Sequence, residues 1–395
     1  MALGALVVTL VVLEVCLRLV APQPLNLYNF ALLNEEGIVV KAATPGHATL
    51  YRTDTKPPGE GPMRANARMR MGYVDIEVNE HGWRDRVYPQ NGGSGAYRLV
   101  VVGDSVTFGY GVALAETYHK RLEDRLNQAG SAAGRRFEVA ALAGGGGTTY
   151  DALRMVRRHA GYFRPRELWL AFNLNDILFN PYFPWEKHVK ADAAGQAART
   201  GVAPSLSIRA AMLLRWLRAR TDQVFRSRSH LYHLVRQRTK VLLRQVGIYS
   251  PTMQPEAAFA FSSAPAQEAW SATLAAIVEM REEAARHGAR FAVVVLPADP
   301  QTSSEARVLY RDQFRFRFDD DFAGGVVQQW ICQDLVERGI ECLDPLPRFR
   351  AHAYRQLFLR VHGDSIDWNH PNAVGHAVLA EALFAAMKPR LLPAE

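Results

Sequence analysis

The sequence predicts an α/β protein built on a parallel sheet with helices on both faces. Three observations lead there. From about residue 97 onward, apolar strand-like runs alternate with helical patterns, which calls for parallel pairing through crossover helices. The first run, Leu99-Val100-Val101-Val102, ends in Gly103-Asp104-Ser105, so a buried strand delivers a serine to a strand–helix turn. The polar motifs of the chain follow the strand-like runs, and open α/β sheets gather reactive groups beyond the carboxyl ends of their strands.

Taken in order, residues 1–20 are almost uniformly apolar, interrupted by Glu14 and Arg18. Their length is close to the roughly 20 residues that cross a bilayer as a helix. The start lacks Lys or Arg, and Leu19-Val20-Ala21-Pro22 is a poor cleavage site, so an uncleaved membrane anchor is expected rather than a secretory signal. A buried core helix is the alternative, because the uncharged run stops at Leu13. Residues 23–96 hold turn formers and short strand-like runs, Gly37-Ile38-Val39-Val40 and Tyr73-Val74-Asp75-Ile76-Glu77-Val78 among them. They read as a β-rich extension closed by the flexible connector Asn91-Gly92-Gly93-Ser94-Gly95.

Residues 97–390 then read as the main domain. Expected strands are 98–102, 137–142, 168–173, 290–296 and 340–343. Expected helices are 116–128, 150–162, 267–287 and 325–337, with 373–387 last. A helical insertion spans about 183–265. At 395 residues, 48% hydrophobic and 22% charged, the chain is long enough for one large domain with additions and excludes a disordered polymer.

The net charge of +8 is concentrated in the insertion. Residues 201–246 carry ten basic side chains against Asp222 alone, so the remainder is near neutral. Leu206, Ala210, Leu213 and Leu217 recur at helical spacing, as do Leu231, Leu234, Val235, Leu242 and Val246. Two basic amphipathic helices are expected, suited to anionic lipid, to an acidic polymer, or to a solvated face packed on the domain. No nucleic-acid-binding module accompanies the charge. Cys16 lies in the apolar start; Cys332 and Cys342 are expected as buried free thiols, with a disulfide between them as the alternative.

A serine hydroxyl becomes a nucleophile when a histidine removes its proton, and a carboxylate on that histidine fixes its tautomer. Asp367 and His370, three residues apart in Asp367-Trp368-Asn369-His370-Pro371, reach one point from a short turn and are suited to act with Ser105. The tetrahedral oxyanion of acyl transfer needs preformed donors: the Ser105 N–H, a glycine N–H in Gly144-Gly145-Gly146-Gly147, and the Asn175 side-chain amide in Asn173-Leu174-Asn175-Asp176. Gly146 is the choice in the glycine run because it keeps Tyr150 at the start of the next helix; Gly145 and Gly147 are the alternatives. Asp104 is expected to cap the helix that opens at the serine, with Asp176 as a supporting group. Among the 12 histidines, His362 near Asp364 and His376 compete with His370, and His376 is expected to be a packed helix residue. The glycines lack the GxGxxG spacing and a following Lys-Ser or Lys-Thr, which argues against a phosphate loop. Neither a cofactor nor a metal site is written in the sequence.

The ordered set Gly103-Asp104-Ser105, the glycine run, Asn175-Asp176 and Asp367-x-x-His370 resembles the SGNH, or GDSL, hydrolase superfamily. The likeness spans roughly residues 97–390. It implies a flavodoxin-like three-layer α/β/α fold. It also implies Ser105 as nucleophile, Gly146 and Asn175 as oxyanion donors, and Asp367 with His370 completing a triad. Leu174 stands where that family places glycine. Asn79-Glu80-His81-Gly82-Trp83-Arg84-Asp85 also resembles the stretch that precedes the catalytic domain in membrane-anchored bacterial members.

The expected function is a serine esterase that hydrolyses acyl esters, O-acetyl groups in particular, on cell-envelope carbohydrate. An O-acetyltransferase acting on an envelope polysaccharide uses the same triad and is one alternative. A non-catalytic carbohydrate-binding protein on the same fold is the other. The expected location is membrane-anchored with an extracytoplasmic catalytic domain; the partners are an acyl-ester substrate and the membrane, with no nucleic acid.

Overall fold

The computed structural model describes residues 2–22, 30–33, 39–43, 57–71, 74–90, 95–145, 147–178, 225, 229–245, 264–313, 316, 318–362 and 365–392. The apolar start forms helix α1 (Ala2–Val20). Its two charges have partners. Arg18 pairs with Glu14, and Glu14 accepts the backbone N–H groups of His230 and Leu231 at 3.0 and 2.9 Å and the Ser229 hydroxyl at 2.8 Å. Among the described residues no helix is long and apolar enough to cross a membrane. Glu14 interrupts the apolar run because it serves another helix.

The extension forms an antiparallel sheet from β1 (Phe30–Leu33), β2 (Val39–Ala43), β3 (Arg68–Met71) and β4 (Val74–Glu77), in the order β2-β1-β3-β4. The run expected at Gly37–Val40 is strand from Val39 onward, with its first residues outside the described set.

Five parallel strands carry the main domain: β5 (Tyr97–Gly103), β6 (Phe137–Ala143), β7 (Glu167–Asn173), β8 (Arg290–Leu296) and β9 (Glu341–Leu343). Their order, β6-β5-β7-β8-β9, is that of a flavodoxin-like sheet, and it reverses direction at β5 and β7. β5, β6 and β7 are buried nearly throughout, which is why they read as continuous apolar runs rather than alternating ones. Residues of opposite parity still serve opposite faces. Leu99 and Val101 pack with helices α3 (Tyr118–Gly130) and α9 (Ala373–Leu391), while Val100 and Val102 pack with α4 (Thr149–Phe163), α7 (Ala264–Arg286) and α8 (Val326–Glu337). The result is a three-layer α/β/α sandwich. Two very short helices, α2 (Ser105–Phe108) and α5 (Asn175–Leu178), sit at strand exits, and α6 (His230–Gln245) is the second of the expected basic helices. The first, around Leu206–Leu217, lies outside the described residues.

The edge strand β6 is closed by side chains rather than by another strand. Asp85 accepts the Ala141 N–H, Glu123 accepts the Val139 N–H, and Tyr88 and Lys120 donate to the Val139 carbonyl. Unpaired edge groups are thereby kept from pairing with another chain.

Cys332 in α8 and Cys342 in β9 form a disulfide, contrary to the expectation of free thiols. The α8–β9 connection folds the strand back beneath the helix and brings the two Cα atoms to 5.2 Å. A crosslink over a sequence separation of 10 restricts the unfolded chain, a contribution of about 2.7 kcal/mol in the loop-entropy picture. Replacing both cysteines with serine should lower the unfolding free energy by roughly 2–3 kcal/mol in denaturant titration, with the sandwich retained by circular dichroism.

Candidate active site

β5 ends at Gly103 because nothing larger fits: a Cβ there would stand 2.3 Å from the Thr107 hydroxyl oxygen and 3.2 Å from the Ala171 carbonyl oxygen. Asp104 follows as the N-cap of α2 and accepts the Val106 N–H at 2.9 Å. Ser105 is therefore the first residue of α2, at the point where the strand order reverses. This is where doubly wound sheets open a crevice.

Asp367 and His370 come from the loop between the hairpin β10 (Val361–His362) and β11 (Ser365–Ile366) and helix α9. That loop is held from several sides. The Leu359 N–H donates to the His370 carbonyl at 3.0 Å, and the Asp367 N–H donates to the Arg360 carbonyl at 2.8 Å. Tyr310 donates its hydroxyl to the Asp367 carbonyl at 2.6 Å, while Asp299 donates its N–H to the Trp368 carbonyl at 2.8 Å and pairs through its carboxylate with Arg360 at 2.7 Å. Sequence reasoning missed Tyr310, Asp299 and Arg360. They are scattered over three segments, and no spacing connects them.

The structure brings the three expected residues into one hydrogen-bonded line. Ser105 Oγ lies 2.7 Å from His370 Nε2, and His370 Nδ1 lies 2.9 and 3.0 Å from the two carboxylate oxygens of Asp367. Asp367 also accepts the His370 N–H at 3.0 Å, so the same carboxylate orients both the ring and its backbone. With Nδ1 donating to Asp367, the neutral ring presents its Nε2 lone pair to the serine proton. A serine, a histidine and a carboxylate linked in this way form the machinery of ester cleavage through an acyl-serine.

This line joins, in one place, the serine, histidine and aspartate that the SGNH/GDSL resemblance implies.

On the oxyanion side of the site, Ser105 opens α2, and a first-turn N–H has no acceptor within its own helix. Asn175 opens α5 directly beyond β7, on the neighbouring strand. Its side chain donates to Asp104, which also receives the Asn173 amide at 3.0 Å, and its carbonyl oxygen Oδ1 is buried without a hydrogen-bond partner. Gly146 lies outside the described residues. Leu174 has ordinary negative-φ backbone and turns its side chain into the core, so the step from glycine to leucine there demands no special conformation.

Asp176 is buried, accepts the Thr149 hydroxyl at 2.7 Å, and leaves its other oxygen without a partner. Burial and the nearby Asp104 hold its carboxyl well above the usual range. Asp104 is also raised by burial, with His370 pulling the other way. His376 is structural: fully buried, it accepts the Tyr118 N–H at 3.1 Å and stacks on the Tyr118 ring, and burial drives it down to about 3. Among the described residues, no group of three or more His, Cys, Asp or Glu is placed to hold a metal ion.

No family model and no curated protein matches the chain. It is similar to solved structures of a lipase from goat rumen metagenome (16% identity, 75% of this chain and 100% of the other, TM-score 0.37). It is similar also to phospholipase A1 from Streptomyces albidoflavus (14%, 73% and 99%, 0.40). A third is an acetylxylan esterase from Geobacillus stearothermophilus, in a catalytic mutant (13%, 76% and 97%, 0.39). Those activities belong to those proteins; the chemistry open to this chain follows from its own side chains.

Burial alone would lower the His370 pKa, but the Asp367 carboxylate and its hydrogen bond outweigh it, and Asp104 adds to the rise. Only neutral imidazole accepts the serine proton, so kcat/KM should fall as pH drops through a midpoint above the ordinary histidine value of about 6.5. In Asp367→Asn that midpoint should move down and kcat should drop by roughly 10³–10⁴. A pH–rate series on both proteins checks this.

Proposed function

We propose that this protein is a serine esterase that removes short acyl groups, O-acetyl in particular, from cell-envelope carbohydrate. The observation that carries the esterase reading is the 2.7 Å contact of Ser105 Oγ with His370 Nε2, backed by Asp367 on the other ring nitrogen. Ser105 Oγ attacks the ester carbonyl carbon while His370 takes its proton. The tetrahedral oxyanion is met by the Ser105 N–H and the Asn175 side-chain amide, with Gly146 as the third donor. Collapse breaks the bond to the alcohol, which leaves with the proton from His370. Water, deprotonated by the same His370, then releases the acid and restores Ser105. Each oxyanion donor is expected to contribute on the order of 2.7–4 kcal/mol to the transition state.

The envelope setting is supported by two features. A disulfide persists best in an oxidising compartment, which favours an extracytoplasmic domain. Helix α1 exposes apolar side chains around its circumference, Leu6 at 55%, Val12 at 54% and Val20 at 85%, and such a surface is stable in contact with lipid. Glu14 ties α1 to the start of α6, a helix of basic composition whose exposed Val235 and Leu242 lie two turns apart on one face. That pattern suits a helix lying in an anionic headgroup layer. The full-length protein should co-sediment with phosphatidylglycerol vesicles and do so less with phosphatidylcholine vesicles. Equal recovery with both would remove the role of the basic helix.

The purified full-length protein should hydrolyse p-nitrophenyl acetate, and Ser105→Ala should abolish turnover with an unchanged circular dichroism spectrum. Activity persisting in the variant would remove Ser105 from the mechanism. With an acetyl donor and an envelope polysaccharide supplied together, acetate free in solution identifies water as the acceptor. Acetyl appearing on sugar identifies a transferase.

A further inference from the structure

Arg84, in the extension, is 5% exposed and makes no ion pair with a carboxylate among the described residues. Its guanidinium instead donates to three backbone carbonyls of one turn: Phe108 at 2.7 Å, Gly109 at 2.6 Å and Val112 at 2.7 Å. It also lies over the Phe108 ring at 5.1 Å. Burial lowers its pKa to about 10, opposed by Asp85, so it stays charged at neutral pH. A charge kept this deep is costly unless its donors are used; Nη1 and Nη2 are aimed at a single short segment, while Nε is buried without a hydrogen-bond partner.

That segment begins on the nucleophile. The N–H groups of Gly109 and Tyr110 both donate to the Ser105 carbonyl, at 3.1 and 3.0 Å. Gly109 holds φ of +83°, a conformation that other residues rarely adopt, and the turn aims Tyr110 inward. The Tyr110 ring then rests against the His370 ring, with centroids 4.6 Å apart and planes tilted by 38°. On its other side the segment belongs to the core of the extension: Phe108, Tyr110 and Ala143 pack with Met63, Met69 and Ile76. Arg84 is itself presented by a loop that Asn79 organises, accepting the N–H groups of His81 and Trp83 and donating to the carbonyls of Asp85 and Arg86.

We infer that Arg84 is a positioning residue for the Ser105–His370 pair, acting through the Phe108–Val112 turn and the Tyr110 ring, which makes the N-terminal extension part of the catalytic apparatus. This rests on the esterase reading only for its kinetic readout. Asp367 and Asp104, the charged groups that bear on the His370 ring, are left in place by the variants below.

The test uses full-length Arg84→Lys, Tyr110→Leu and the double variant. Each single change should lower kcat on p-nitrophenyl acetate by about tenfold or more, with KM within about twofold, because a small displacement of reacting groups is costly. The double variant should be no slower than the worse single one, since both act along one path. Independently of activity, the His370 ring, followed by NMR with 13C-labelled histidine, should titrate about half a pH unit higher in both single variants as the ring loses its cover. Wild-type kcat and titration in folded Arg84→Lys, or fully additive losses in the double variant, would overturn the inference. Should Arg84→Lys fail to fold, Tyr110→Leu decides alone, and an unmoved titration there overturns it. A wild-type protein without esterase activity would remove the functional reading and leave the titration as the test of positioning.

Discussion

The buried Asp104 carboxylate is the interaction on which the rest of the site depends. It accepts the Val106 N–H, the Asn173 amide and the Asn175 side chain, and so joins the exit of β5, the exit of β7 and the start of α2 in one cluster. The backbone position of Ser105 follows, because Asp104 caps the helix that opens at the serine. The place of Asn175 follows too, since its amide is drawn to the same carboxylate. A buried carboxylate costs free energy unless its lone pairs are used, and these three donors offset part of the desolvation, which still raises the Asp104 pKa.

The electrostatics of the site follow from crowding acidic groups around one histidine. Asp104, Asp176 and Asp367 are all buried, and they cannot all carry charge cheaply in a medium of low dielectric. Burial and the nearby Asp104 hold Asp176 well above the usual carboxylate range, while Asp367 directs its oxygens to the His370 ring and the backbone of its own loop. The outcome is a histidine whose charged form is stabilised at the moment it takes the serine proton. Tyr310, Asp299 and Arg360 keep the Asp367–His370 loop from relaxing away from Ser105.

The extension and the sandwich are joined through two neighbouring residues with opposite charge. Arg84 grips the turn after the nucleophile, and Asp85 closes the edge strand β6 with Lys120. The same short segment therefore supports the catalytic turn and shields a sheet edge. The apolar contacts between Phe108, Tyr110 and the extension bury both surfaces at once, so neither side would be left with an exposed apolar face.

Local sequence by itself determined the strands, the long helices and the serine turn. Apolar runs of strand length separated by helical periodicity can bury themselves only as a parallel sheet with helices on both faces, and Gly103 is required where the backbone turns against Thr107. The pairing of Ser105 with Asp367 and His370 was legible because strand exits converge on one edge of such a sheet. Arg84, Tyr110, Asp299 and Tyr310 were not legible, since each acts through a contact between segments distant along the chain, and spacing carries no trace of that. The disulfide of Cys332 with Cys342 and the pairing of Glu14 with α6 have the same origin. Tertiary structure decided them, because a thiol or a carboxylate takes its role from what packing brings within a few ångströms.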